Sequence, residues 1–395
     1  SRRAYPDFSP RGMSHAMMGN RVRGAKKSIA VVWGALALLL VASACSRTTP
    51  SGNTGGARTS IIFHVQDARL ACCAIVDLGG SGQLVLGRAD YRDGRARAWL
   101  ARVSRAGHVE WQHELLLESR QSGLSAGVTA SRDGEAYVVG SIVVGGGGNL
   151  LVAKTRADGN LDWMKTLSLG LDTKAEAVIL SKGGAIVVGG FVRDAGNDGS
   201  IFIASFNPSG DLLWQRRVAP AADQPEVHLR ELQRGGYLVS GSFGVVHVDA
   251  DGQRQWEHTG IHVAAALEDR DSLVVISAPI GSQPSRFILH RFAANGATLS
   301  TQPVLRGLCT VAGAWMPDEE RIVVAGNPCT QEGELWISEV FDGGEKNTAQ
   351  IALPTGGTAF SAARTGNGEL VAVGMFDQDG PNAMHGWFLK VTPIR

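Results

Sequence analysis

Apolar residues in this chain fall into short runs that end in glycine, and the runs return at a nearly constant interval. They stand at residues 82–87 (GQLVLG), 134–140 (GEAYVVG), 183–189 (GGAIVVG), 235–241 (GGYLVSG), 271–277 (DSLVVIS), 320–326 (ERIVVAG) and 368–374 (GELVAVG). The last residues of these seven copies are 36 to 53 positions apart, with the short interval between the fourth and fifth. Runs of β-branched residues bounded by glycine predict strands, and repeats of 20 to 50 residues mark solenoids, propellers or arrays.

A second element follows the runs: an apolar strand, a tight turn carrying glycine, and another strand, as in residues 151–163 (LVAKTRADGNLDW) and 202–214 (FIASFNPSGDLLW). Gly107, Gly159, Gly210 and Gly252 each lie four residues before a tryptophan, namely Trp111, Trp163, Trp214 and Trp256. Ser300 and Thr348 take that place in the next two copies. Glycine fits a hairpin position of positive φ, and the indole offers a large surface for packing between neighbouring units.

Each repeat therefore reads as four short strands: an inner one such as Leu124–Ser131, the glycine-ended one, and two more joined by the glycine turn. Four-stranded units of this period are propeller blades. The expected fold is all-β, a seven-bladed β-propeller. An open solenoid, whose repeats are usually shorter, is the competing arrangement. Residues 387–395 (WFLKVTPIR) align with a third strand, so the last blade lacks its fourth. The spare run Ser60–Gln66, ahead of the first inner strand, is expected to supply it and latch the ring.

Composition sharpens this picture. The 395 residues include 51 glycines but only 6% aromatics, which favours turns over long helices. Net charge is +1, yet residues 1–44 hold seven Lys and Arg against the single acid Asp7, leaving 31 bases and 36 acids in residues 45–395. A slightly acidic body excludes nucleic acid as the expected partner.

Arg21, Arg23, Lys26 and Lys27 precede sixteen uncharged residues, Ile29 to Ala44, and then Cys45. The apolar stretch is short of the roughly 20 residues that cross a bilayer, and its basic flank and small-residue end are those of an export signal. A simple transmembrane anchor is the alternative. Residues 41–45 (VASAC) resemble the lipobox of bacterial lipoproteins, with Ala42 where leucine is commoner. That resemblance implies cleavage before Cys45 and lipidation of its thiol by more than one acyl chain, palmitate included, as stable anchoring requires. Ser46 replaces the aspartate that retains enterobacterial lipoproteins at the inner membrane, so outer-membrane attachment is expected. The natural start is expected at Met17 or Met18. Residues 1–44 then form an upstream extension and signal peptide, 45–59 a flexible tether, and 60–395 the propeller.

Residues 60–395 resemble bacterial propeller repeats of the Delta-60 and quinoprotein-like kind. Aspartate or serine, glycine and then tryptophan across the third turn is similar to the tryptophan-docking motif of pyrroloquinoline quinone dehydrogenases and of the outer-membrane assembly lipoprotein. The longer alanine-first docking consensus is not reproduced. The blade-packing residues implied are Trp111, Trp163, Trp214 and Trp256.

Motifs of chemistry are sparse. Gly123 to Gly127 match Gly-x-Ser-x-Gly around Ser125, but that motif needs a strand, a sharp turn and a helix, and here it falls in an inner strand, where small residues suit a narrow channel. Gly145–Gly148 lack the Lys-Ser/Thr of a phosphate loop and read as a strand connection. Asp249/Asp251 and Asp377/Asp379 have the opening spacing of calcium loops without the remaining ligands, and read as turn aspartates. The ten histidines show no zinc-ligand spacing. No metal or cofactor is expected. Cys309 and Cys329 face each other across a hairpin turning at Pro317–Glu320, and in an exported protein a disulfide between them is expected. Adjacent Cys72 and Cys73 read as buried free thiols on opposite faces of a strand.

The expected function is that of a monomeric envelope lipoprotein, anchored through its N-terminal lipid, whose propeller binds a protein or envelope polymer or scaffolds an assembly. No catalytic residue is assigned. The alternative is a propeller enzyme (quinoprotein-like oxidoreductase, lyase or hydrolase) with groups converging on the central channel from separate blades.

Overall fold

The computed structural model describes residues 58–392 apart from residues 116–122, 145–146, 195, 197–198, 222–224, 280–285, 319, 330–332, 342–343 and 378–383. The export signal, Cys45 and the tether up to residue 57 lie outside the described residues, while Arg58 and Thr59, at the end of the expected tether, already belong to a strand. Within them the chain forms seven four-stranded antiparallel sheets. The inner strands are Ala68–Asp77, Gly123–Ala130, Asp172–Leu180, Val227–Glu231, Ile261–Asp269, Leu308–Trp315 and Thr358–Arg364. Each touches the next and the seventh touches the first, which closes the ring.

The glycine-ended runs become the second strands, such as Gln83–Tyr91 and Ile186–Arg193, and they are buried almost without interruption. Both faces of each are covered by neighbouring blades, so the sequence shows a continuous apolar run instead of alternation. A hydrophobic cluster fills every joint between blades. Leu84, Leu100 and Val138 meet at the first joint, and Val371, Phe388, Val85 and Trp99 at the closing one. Acids at the ends of three inner strands stitch joints as well. Asp77 accepts from Gly366 N–H at 3.1 Å, Glu231 from Lys182 N–H at 2.8 Å and Glu268 from Gln233 N–H at 2.7 Å.

The ring closes as expected. Arg58–Phe63 pairs antiparallel with Met384–Val391, from Arg58 opposite Val391 to Phe63 opposite Gly386. The strand begins and ends earlier than the predicted Ser60–Gln66, because the chain turns at Val65 to Ala68 with Asp67 at φ 60°. Ile61 and Phe63 are buried, and the Phe63 ring meets Trp99 edge-on at 4.8 Å. Lys390 spans the same joint, pairing with Glu369 at 2.9 Å and donating to Arg105 O.

Cys309 and Cys329 form a disulfide in the sixth blade, with Cα atoms 4.8 Å apart. Register runs from Leu308 opposite Pro328 to Thr310 opposite Asn327, so Cys309 sits in a bulge and not directly opposite its partner. Cys72 and Cys73 lie on the first inner strand, where Cys73 is the extra residue of a bulge.

Candidate functional site

The inner strands of most blades carry a β-bulge at the same height. The register skips one residue at Cys73, Ala126, Glu176, Ala264, Ala312 and Phe360. A bulge bends its strand and re-aims a side chain. In the fourth blade the inner strand is short and regular, and Val227 and Leu229 alternate with Glu226, His228 and Arg230. The two arrangements together line a central cavity of about 500 Å³.

Its wall is divided by chemistry. Glu176, Glu226, His228 and Arg230 come from the third and fourth blades, while Ala264, Ala312, Ala314 and Phe360 line the wall from the fifth to the seventh. Phe360 is 43% exposed, a large ring left uncovered inside the channel.

Glu226 accepts a hydrogen bond from His262 Nε2 at 3.0 Å. That bond holds the Glu226 carboxyl below its ordinary range and lifts the His262 imidazole above its own. Glu176 is mostly buried and lacks such a partner, and desolvation pushes it up to about 7; Lys174 opposes the rise and the Glu226 charge adds to it. His228 and Arg230 are open to the channel, yet the walls surround them closely, and this confinement lowers both from their ordinary values. The site therefore holds a hydrogen-bonded Glu226–His262 pair, one carboxyl close to half-protonated near neutral pH, an imidazole whose charged form is disfavoured and a guanidinium.

These channel groups escape sequence reasoning, with one exception. The alternation of Glu226, His228 and Arg230 against Val227 and Leu229 is a period-two signal, and it puts three polar side chains on one face of a strand. Glu176 has no such pattern, because its bulge breaks the period. Ser277 and His290 also approach, with Oγ and Nε2 2.8 Å apart. Ser277 is only 1% exposed and opens onto no described cavity, so the pair is a core hydrogen bond.

The sequence-derived residues take other places. Each tryptophan stands on the outer strand of its blade and lies against the turn glycine of the next. A Cβ added at Gly159, Gly210, Gly252 or Gly296 would fall 2.6 to 2.7 Å from a ring atom of Trp111, Trp163, Trp214 or Trp256 respectively. The Trp111 indole N–H donates to Ala157 O at 3.2 Å and that of Trp256 to Ala294 O at 3.0 Å. The backbone of residues 123–127 is an inner strand. Asp249 caps its own turn by accepting from the N–H groups of Asp251 and Gln253. Among the described residues no group of three or more His, Cys, Asp or Glu could hold a metal ion.

Comparison with known proteins places this geometry in a class. Residues 96–281, from the third strand of the first blade into the fifth, match the family model described as outer membrane protein assembly factor BamB. With the seven-bladed ring, that match supports a quinoprotein-like propeller. No curated protein matches the sequence. Among solved structures, a chain of a mitotic checkpoint complex is 14% identical with a TM-score of 0.52, covering 79% of this chain and 92% of that one. Trypanosoma rangeli sialidase, as its covalent intermediate with 2,3-difluorosialic acid, is 12% identical with a TM-score of 0.51, covering 86% of this chain. This chain spans about 60% of the sialidase's length. At such identities the likeness is one of fold alone.

Proposed function

We propose that the protein is an envelope lipoprotein, anchored through Cys45 at the outer membrane, whose propeller scaffolds an assembly by binding other proteins and is not an enzyme. The observation that carries this reading is the match of residues 96–281 to an assembly-factor family. Those residues include all four docking tryptophans and three of the four turn glycines they meet, Gly159, Gly210 and Gly252. The surface agrees with it. Leu161, Leu212, Leu213 and Leu299 stand exposed just past the third turns, on outer strands that have a neighbour on one side only within their sheets. Exposed apolar side chains beside free strand edges are what an extended partner segment recognises.

The test is site-specific photo-crosslinking in the native envelope. A crosslinker at Leu213 should trap a discrete protein species, and one at Gly184, on a turn between first and second strands, should not. Absence of any adduct from Leu161, Leu213 and Leu299 would reject the scaffold. The channel enzyme remains the second reading, favoured by the acid–base groups around Glu176.

A further inference from the structure

We propose that the central channel binds a small organic carboxylate, its anionic group held by Arg230 and His228 and its apolar body lying against Phe360 and the alanine arc. This is independent of the scaffold reading, which uses the outer edges of the blades.

Of the channel's two glutamates, Glu226 is taken by His262 at 3.0 Å. Glu176, walled in and without a hydrogen-bond partner among the described residues, holds its proton far above the ordinary carboxylate range. Below neutral pH neither presents a free negative charge, and near pH 7 Glu176 does so only in part. Arg230, in contrast, keeps its charge. No hydrogen bond or ion pair to it forms among the described residues; Glu268, the acid whose charge acts on it, accepts from Gln233 N–H at 2.7 Å. A guanidinium confined this way and lacking an acceptor is an anion site in waiting, since its planar fork matches a carboxylate bidentately.

The remaining groups select for the kind of anion. His228, on the same strand face two residues away, is without a hydrogen-bond partner among the described residues and offers a ring N–H. Glu176 in its protonated form, which prevails below about pH 7, offers an O–H. Facing them, Ala264, Ala312, Ala314 and the uncovered ring of Phe360 offer nothing to a strongly hydrated ion, and suit an aromatic or branched aliphatic body. The cavity of about 500 Å³ accommodates a molecule the size of phenylacetate with room to spare.

The titratable groups lining the site are Glu176 from the third blade and Glu226, His228 and Arg230 from the fourth; His262 of the fifth blade pairs with Glu226, and the charges of Lys174 and Glu268 act on Glu176 and Arg230. Raising the pH ionises Glu176 and deprotonates His262, and both changes oppose an incoming anion. Affinity should therefore fall with rising pH.

The full chain in nanodiscs is titrated calorimetrically with phenylacetate, and with phenethylamine and benzyl alcohol as size-matched controls. Saturable binding of phenylacetate alone is expected, weakening by up to about tenfold between pH 6 and pH 8 if one ionisation governs it. Arg230→Gln should lose at least tenfold, and Arg230→Lys should recover part of that. Ala312→Phe, which fills the apolar side, should abolish binding while the melting temperature reports whether the variant is folded. Equal affinity in Arg230→Gln, preference for the amine, or no saturable heat with phenylacetate in the folded wild-type chain would overturn the proposal.

Discussion

Thr59 packs on Gly107 as Trp111 packs on Gly159: a Cβ added at Gly107 would lie 2.6 Å from Thr59 Cγ2. Thr59 belongs to the strand that completes the seventh blade, and Gly107 to the third turn of the first. The joint that closes the ring thus repeats the docking of the joints that build it, with a smaller side chain. Where Ser300 stands in place of a tryptophan, the turn glycine of the following blade, Gly344, would meet nothing within 4 Å. Among the described residues this docking occurs at the closing joint and the four tryptophan joints.

Gly159→Ala tests that contact against backbone strain. Gly159 and Gly184 have nearly the same φ, 82° and 83°, but a Cβ at Gly184 meets no atom within 4 Å. Both substitutions incur the left-handed penalty of about 1–2 kcal/mol. Gly159→Ala must also displace the Trp111 ring, so it should cost at least about 1 kcal/mol more, an amount typical of crowding in a packed site. Denaturant unfolding of the two variants decides it, and equal losses would mean that the indole yields freely.

The disulfide closes a loop of 20 residues between Cys309 and Cys329. Replacing both by serine should lower stability by about 3 kcal/mol, the scale for loops of this length. Mass spectrometry of the non-reduced protein should find neither thiol free to alkylate.

Blade number and closure were legible because a buried second strand, covered on both faces, must be apolar throughout, and seven such runs are hard to miss. The pairing of Trp111 with Gly107 in sequence was half the story. The two lie four residues apart in one repeat, but the indole reaches forward to Gly159 in the next, a relation that only blade stacking creates. The channel was hardest to read. Alanines in most inner strands gave it an inert look, and the bulge at Glu176 removed the alternation that would have marked an inward-facing acid. The same kind of bulge displaced Cys309 from the register that predicted its partner.

Lipidation is predicted at Cys45, from the basic flank, the uncharged run and the small residues before it. Cys45→Ala should leave an uncleaved precursor and shift labelling with a palmitate analogue to background. Unchanged labelling in this variant would place any lipid elsewhere.

Closure predicts an unequal pair of truncations. Deleting residues 46–57 leaves Arg58–Phe63 intact and should hardly alter the melting temperature. Deleting residues 46–67 removes that strand, exposes the edge of Met384–Val391 and strips Ile61 and Phe63 from the cluster around Trp99 and Phe388. Loss of two buried side chains alone is worth roughly 4–8 kcal/mol, enough to unfold a typical domain. Similar melting temperatures for both would refute the latch.

Glu176 makes a prediction about pH whose sign is fixed by its environment. In the folded chain desolvation raises it to about 7, whereas the unfolded chain restores an ordinary carboxyl near 4.5. Between these values the folded state binds the extra proton, so stability contributed by this residue falls as pH rises, and the loss is complete above about 7. The full difference corresponds to at most about 3 kcal/mol at 1.36 kcal/mol for each pKa unit. Glu176→Gln removes the titration while keeping the shape. Relative to wild type, the variant should therefore gain stability on going from pH 5 to pH 8, measured by denaturant unfolding at each pH. The other titrating groups contribute to both proteins and drop out of the difference, apart from the charge coupling of Glu226 to Glu176. A difference that stays flat with pH would mean that Glu176 is ionised throughout, and the channel that Arg230 also lines would then carry a free negative charge.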